Sequence, residues 1–396
     1  MTRHKRKIIK RTLRTCILLL MPVAFTASVH AVKEMREAVD KRTVMSTQEN
    51  PKSDTSYDSS GESTEIILKM PSTEKIFPDE SLVLSHGYGY CEETEDSGEL
   101  LKLESPLDMT SENPGEKPYP SKDNWGSGGD IIRTTYEPYK GNAFINLEKG
   151  GQVNNKTSVP NETLEKESRY LPNFTISDTS EPQVLIYHTH TTESFEPFVR
   201  ESFDASFNYR TTDETKNMIM VGNAIEAELE EQGIGVIHVT TIHDYPSYNG
   251  SYARSRDSIL PVLEKYPSIK VVLDIHRDAI SGEGYAYQPY IEIDGKEAAQ
   301  IMIISGCDDG TLDMPNYMKN FHFACTLQQK LESDYPGFTR PVLFDYRHYN
   351  QDLTVGSLLI EVGSHGNTLE QAQYSGQLFG QSLGELLNSM KKRKSH

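Results

Sequence analysis

The chain has 396 residues, with 40 Lys and Arg against 58 Asp and Glu for a formal net charge of −18, and four cysteines. That charge argues against a general nucleic-acid binder, which needs a basic stripe to neutralise phosphates. No cysteine pair is spaced as C-x-x-C, which argues against a zinc ribbon or thioredoxin-type motif and leaves histidines and carboxylates as the metal ligands to look for.

The first elements read as export and tether. Seven Lys and Arg precede the apolar run CILLLMPVAFTASVHAV, so residues 1–32 are expected to be a signal-anchor or transmembrane segment with the remainder outside the cytoplasm. Val29-His30-Ala31 also fits a signal-peptidase site, so retention and cleavage both stay open. Residues 33–118 are rich in Ser, Thr, Glu, Asp and Lys and are expected to form an acidic flexible linker. An apolar fraction of 36%, tyrosine included, agrees with such a non-core stretch, being below that of chains that fold throughout. Residues 119–180 form a small leading region in which IIRTTY and NAFINL are short strands.

From residue 181 the pattern alternates. QVLIYHTH is a buried strand. ETKNMIMVGNAIEAELEEQG is an amphipathic helix with Met218, Val221, Ile225 and Leu229 on one face and Gly233 as its stop. IGVIHVT and KVVLDIH are strands, separated by the helical SRDSILPVLEKYP, which Pro261 kinks or delays. YQPYIEI and AQIMIIS flank Asp294-Gly295 as a hairpin. A helix with Pro in its first turn follows (PNYMKNFHFACTLQQKLES), then strands RPVLFDY and SLLIEVG, then a last helix from Thr368. The expected fold is α/β, a mixed and mostly parallel sheet with helices on both faces.

Three strands end in residues able to do chemistry: His188 and His190 with Glu193, then Asp274, His276, Arg277 and Asp278, then Glu361 within LLIEVG. Ligands bind outside the carboxyl ends of parallel strands. His190, Glu193 and His276 make a His₂Glu zinc set with a position open for water. Glu361, a charge in an apolar run, is the candidate general base. By strand parity His188 shares a face with His190, so one ligates while the other supports it or faces substrate; His190 is taken as the ligand and His188 as substrate-binding, and Asp278 is taken as substrate-binding too. His238, His243, His322 and His348 show no partner in the sequence.

The strings VLIYHTHTTESF, VGNAIEAELEEQGIGVIH, YNGSYARSRDSI, VVLDIHRDA and YNQDLTVGSLLIEVGSHGNTLEQA resemble, in order, the stage II sporulation protein P family. The resemblance implies an amidase-like fold over 181–396. It also implies a zinc-dependent peptidoglycan hydrolase that cuts between N-acetylmuramic acid and L-alanine, with cross-link endopeptidase activity, acting at the septum during engulfment with stage II sporulation proteins D and M. It carries His190 and His276 over as zinc ligands and Glu361 as the catalytic glutamate. The carboxylate ligand is Glu193, with Glu214 in reserve, and Arg277 is implied to bind a substrate carboxylate or the developing oxyanion.

Two other readings fit the same residues. One is a zinc carboxypeptidase-like hydrolase of wall peptides, for which Arg277, Arg340 and Arg347 offer a carboxylate clamp. The other is a non-catalytic wall-binding scaffold, which would tolerate loss of Glu361. Lys391-Lys392-Arg393-Lys394 is the one basic run near the C-terminus and reads as a solvated tail, with contact to an anionic polymer or membrane as the alternative.

Overall fold

The computed structural model describes residues 128–177, 181–204 and 209–391. The anchor and linker expected over 1–32 and 33–118 lie outside the described residues, as does most of the basic tail. Among the described residues no helix is long and apolar enough to cross a membrane.

The chain begins with β1 (Gly129–Thr134), β2 (Phe144–Asn146), β3 (Gln152–Asn155) and α1 (Asn161–Glu167). It continues through β4 (Pro182–Tyr187), β5 (Ser202–Phe203), α2 (Met218–Glu231), β6 (Gly235–His238) and α3 (Ser251–Lys265). β7 (Val271–Asp278), β8 (Ser281–Gly282), β9 (Tyr285–Ile293), β10 (Lys296–Ala299) and β11 (Ile301–Gly306) follow. The last elements are α4 (Tyr317–Asp334), β12 (Val342–Asp345), β13 (Ser357–Ser364) and α5 (Leu369–Ser389).

Eight strands form the main sheet, in the order β2-β3-β12-β11-β13-β7-β4-β6. The pairings β2/β3 and β11/β13 are antiparallel and the others parallel, so the sheet is mixed and mostly parallel. Alternate residues face opposite sides. Val184 and Ile186 of β4, Val271, Leu273 and Ile275 of β7, and Leu358, Ile360 and Val362 of β13 join Val221 of α2, Phe321 of α4 and Phe379 of α5 in one core. On the other face Leu185, Tyr187 and Val272 pack on Ile259 of α3. Helices therefore cover both faces, α2, α4 and α5 with the short α1 on one and α3 on the other.

The helices follow from sequence. Asn217 caps α2, its side chain accepting the Ile219 N–H, and Met218, Val221, Ile225 and Leu229 are fully buried, each worth about 1.5–3 kcal/mol relative to exposure. Gly233 ends it with φ of +72°. Thr368 and Gln371 close a capping box on α5. Helix α3 starts at Ser251 and continues through Pro261, which sits at an exposed position where a missing N–H bond is solvated. Pro315, expected in the first turn of α4, precedes its N-cap residue Asn316.

Two differences from the sequence reading concern pairing. The expected hairpin forms as β9/β10, turning through Asp294 and Gly295, both at positive φ as a type I′ turn requires. Residues 301–306, however, leave it for the main sheet, while β9 and β10 join β1 and β5 in a second, five-stranded sheet with β8 on β9. Gln300 is the joint. Fully buried, it accepts the Tyr136 N–H at 2.7 Å and donates to Tyr136 O (3.1 Å) and Gly337 O (2.7 Å). In the stretch expected as a leading region, β1 belongs to the second sheet, whereas β2 and β3 extend the main one through β12.

Helices α2 and α5 approach closely because glycines line the contact. A Cβ on Gly380 would lie 2.8 Å from Glu228 Cβ and 2.9 Å from Ile225 O. Gly380→Ala is expected to lower the urea midpoint: overpacking costs about 1–3 kcal/mol, only partly offset by alanine's helix propensity. An unchanged or higher midpoint would contradict this packing.

Candidate functional site

The parallel registers of β4, β7 and β13 assemble the site. Tyr187 sits beside Asp274 and Glu361 beside His276, so three strand ends converge at one edge of the sheet. Past the end of β4, the Glu193 N–H donates to His190 O at 3.1 Å. That turn sends both side chains the same way.

His190 Nδ1 lies 3.7 Å from Glu193 Oε1, and His276 Nδ1 lies 3.6 Å from Glu193 Oε2. One potential ligand atom from each of the three residues falls within 4.8 Å of the others. All three are buried, and so is Glu361 at 5% exposure. Asp274 braces the group. Its carboxylate accepts the Thr189 N–H (2.8 Å) and Oγ1–H (2.7 Å), and it stands 2.8 Å from His276 Nε2, close but poorly aligned for a hydrogen bond.

Burial and charge set the protonation states. Burial opposes ionisation of Glu193, yet Arg277, a hydrogen bond from His276 and the two histidines outweigh it and hold the carboxyl well below its usual range. Burial opposes charge on His276 as well, but Asp274 and Glu193 raise its pKa. His190 is lowered by burial and then by His276, against the pull of Glu193. Glu361 is pushed up to about 8 by burial, with Asp278 adding and His276 opposing.

The remaining expected residues divide. Asp278 lines the same pocket and accepts from Arg340 Nη1 at 2.8 Å and from the Ala279 N–H at 2.7 Å. His188 does not face the pocket. The strand ends at Tyr187, so parity stops applying, and His188 turns into the protein, fully buried. Its Nδ1 meets Ile275 O (2.8 Å) and its Nε2 meets His238 Nε2 (2.9 Å). That placement corrects the expectation of a substrate-facing imidazole. Glu214, the reserve ligand, is exposed ahead of α2 and outside the cluster.

Arg277 reaches the pocket but serves chiefly as a staple. Its Nε and Nη2 donate to Ser194 O and Tyr209 O, each at 3.0 Å, and its backbone N–H donates to Glu193 Oε2 at 3.1 Å. Arg340 is spent on Asp278, and Arg347 on Asp345 at 3.0 Å, so the cations expected for a carboxypeptidase clamp are each engaged within the protein. The other histidines also have partners. His243 meets His188 O and Ser258, His322 meets Glu167 and Asn173, and His348 meets Asp352.

Sequence reasoning missed four lining residues. Arg210, Tyr248, Tyr252 and Tyr349 complete the pocket. Tyr248 stacks on His190 with ring centroids 4.6 Å apart, and Tyr252 stacks on Tyr349 at 5.1 Å. The two first tyrosines lie in the YNGSYARS string, and Tyr349 opens the YNQDLTVG string. Arg210 lies in a segment with no periodicity to mark it.

The family model described as Stage II sporulation protein P (SpoIIP) matches residues 133–384. The stage II sporulation protein P of Bacillus subtilis (strain 168) is 31% identical over 214 residues, 51% of this chain and 50% of that protein. The chain therefore spans about half the length of the curated relative it matches. Among solved structures, the CwlD amidase from Clostridioides difficile, in complex with the GerS lipoprotein, aligns over 52% of this chain and 99% of that one, at 11% identity and a TM-score of 0.34. The N-acetylmuramoyl-L-alanine amidase from Clostridium difficile 630 aligns over 52% and 96%, at 18% identity and a TM-score of 0.30. These likenesses are too distant to bear on the site. The family match spans well over half of the sequence and includes every residue of the cluster, and the chain belongs to the stage II sporulation protein P family.

Proposed function

We propose that the chain is a zinc-dependent peptidoglycan hydrolase cutting the amide between N-acetylmuramic acid and L-alanine, with cross-link endopeptidase cleavage as a second activity, in septal wall thinning and engulfment. The observation that carries this reading is the buried His190, Glu193 and His276 cluster with Glu361 beside His276 in register. The donor chemistry fits zinc: two imidazoles and one carboxylate are the ligand set of hydrolytic sites that leave a position for water. Asp274 stands behind His276 as an orienting carboxylate does behind a ligating histidine. Bound there, zinc would bring the pKa of its water toward about 7 and polarise the scissile carbonyl.

The chain's own groups do the rest. Glu361 takes the proton of the attacking water and returns it to the leaving amine. Burial and Asp278 push this carboxyl up to about 8 in the metal-free chain, and the positive charge of a bound cation would lower it from there, toward the range in which it can both accept and release a proton near neutral pH. Arg277 holds the carbonyls of Ser194 and Tyr209, and with them the turn that aims Glu193. The Asp278–Arg340 pair places a compensated charge beside Glu361. Leu359 and the tyrosines exclude bulk water from the acid–base pair. In this reading residues 1–32 deliver the chain to the membrane, 33–118 tether it, and 181–396 cut the wall outside the cytoplasm, with stage II sporulation proteins D and M as partners.

Digestion of purified peptidoglycan, read by mass spectrometry, tests this. Stem peptides with a free N-terminal alanine should appear, and disappear on chelation. Glu361→Gln should lower their rate by about 10²–10⁴-fold with zinc content unchanged. Cross-link cleavage alone would make the chain a peptidase instead.

Glu361 also has a signature in stability. A carboxyl raised from 4.5 to about 8 keeps a proton in the native chain that the unfolded chain has lost. Its contribution is present below about pH 4.5 and is lost as pH rises through about 8. In chelator-treated protein, Glu361→Gln should therefore gain thermal stability over wild type between about pH 5 and about pH 9. A gap that does not change with pH would contradict the assigned protonation state.

A further inference from the structure

We propose that Arg210 binds a carboxylate of the substrate, so that the pocket selects peptides with an acidic group within about two residues of the bond that is cut. The proposal rests on the hydrolase reading and deepens it by naming the substrate feature recognised.

Four observations converge. The pocket walls carry Glu193, Asp278 and Glu361 in a chain of net charge −18, so an acidic peptide approaches only where a cation offsets that field. Of the lining cations, Arg277 has a side chain only 5% exposed and holds backbone carbonyls of the site's own loops. Moving it would dismantle the turn that aims Glu193. Arg210 also lines the pocket, and its side chain is 26% exposed.

Arg210 is held in place rather than left to wander. Its Nη1 donates to Asp244 Oδ2 at 2.7 Å, and the Asp244 side chain is fully buried. Asp244 in turn accepts the Thr192 N–H (3.0 Å) and Oγ1–H (2.6 Å). The guanidinium carbon lies 4.9 Å from the centre of the Tyr248 ring, and that ring stacks on His190. Arginine and candidate ligand thus pack against the same aromatic ring. A guanidinium fixed in this way loses little freedom on meeting a planar anion.

Position sets which carboxylate. Arg210 Nη2 is 3.6 Å from Glu193 Oε1, and a charge-assisted bond to an anion adds about 2.8 Å. The bound carboxylate therefore lies within about 6–7 Å of Glu193 Oε1, a reach of at most about two extended residues. In a stem peptide cut ahead of its first alanine, that is the carboxyl of the acidic residue next in line.

The test uses two muramoyl tripeptides identical but for the α-carboxyl of the D-glutamyl residue, free in one and amidated in the other. Binding is measured by calorimetry on full-length, zinc-loaded Glu361→Gln protein, and kcat/KM on the active protein. The free carboxylate should bind about 10- to 100-fold more tightly. Arg210→Gln should bring the ratio of the two affinities, and of the two kcat/KM values, close to one, through KM for the acidic peptide. Arg210→Lys should keep part of the preference, since it keeps the charge without the fork. Zinc content and melting temperature of each variant exclude collapse of the metal cluster as the cause. Equal binding of both peptides, or a preference that survives in Arg210→Gln, overturns the proposal. Cleavage of both peptides at equal rates would remove the Arg210 assignment and leave the hydrolase standing. Preferential binding without cleavage of either would support Arg210 while removing the hydrolase.

Discussion

The buried carboxylate of Asp274 is the constraint on which the site depends. It takes both donors of Thr189, at the exit from the first core strand, while standing beside His276 two residues along its own strand. One group therefore fixes where the His190–Glu193 turn begins and stands against the second imidazole. A carboxyl group is costly to bury without such partners. Two donors and an imidazole within reach make the position tolerable, and they also make the surrounding geometry hard to relax.

The charge arrangement follows the same logic. Glu193 remains ionised because it faces Arg277, His276 and His190. Glu361 is raised because its surroundings are buried and carry another carboxylate, Asp278. Two glutamates lining one pocket are thus driven in opposite directions by their neighbours, which suits one to holding a cation and the other to moving a proton. Asp278 does not upset the balance further because Arg340 neutralises it at 2.8 Å.

Much of this was legible in the sequence. Apolar runs located β4, β7 and β13, and the helical period located α2 with its buried Met218, Val221, Ile225 and Leu229. Polar residues at strand ends identified His190, Glu193, His276 and Glu361 as candidates that the fold gathers in one place. Where the reading departed from the structure, the reason is local. Parity put His188 beside His190, but the strand stops at Tyr187. The hairpin at Asp294-Gly295 was visible, whereas the departure of the chain at Gln300 depends on Tyr136 and Gly337, far away in sequence. Arg210 left no local signal because it is placed by Asp244 and Tyr248 rather than by its own periodicity.

The order of strands has a consequence for how the molecule comes into being. β13 is the last strand in the chain, yet it lies between β7 and β11 and joins them. Until it emerges, the main sheet exists only as two separate pieces with open edges, each a surface for mispairing. Its contacts with β7 are long-range, and such topologies close slowly. The strand that completes the sheet also carries Glu361. A chain still being made or exported therefore lacks both the joining strand and Glu361, the acid–base group proposed above, until β13 takes its place in the sheet.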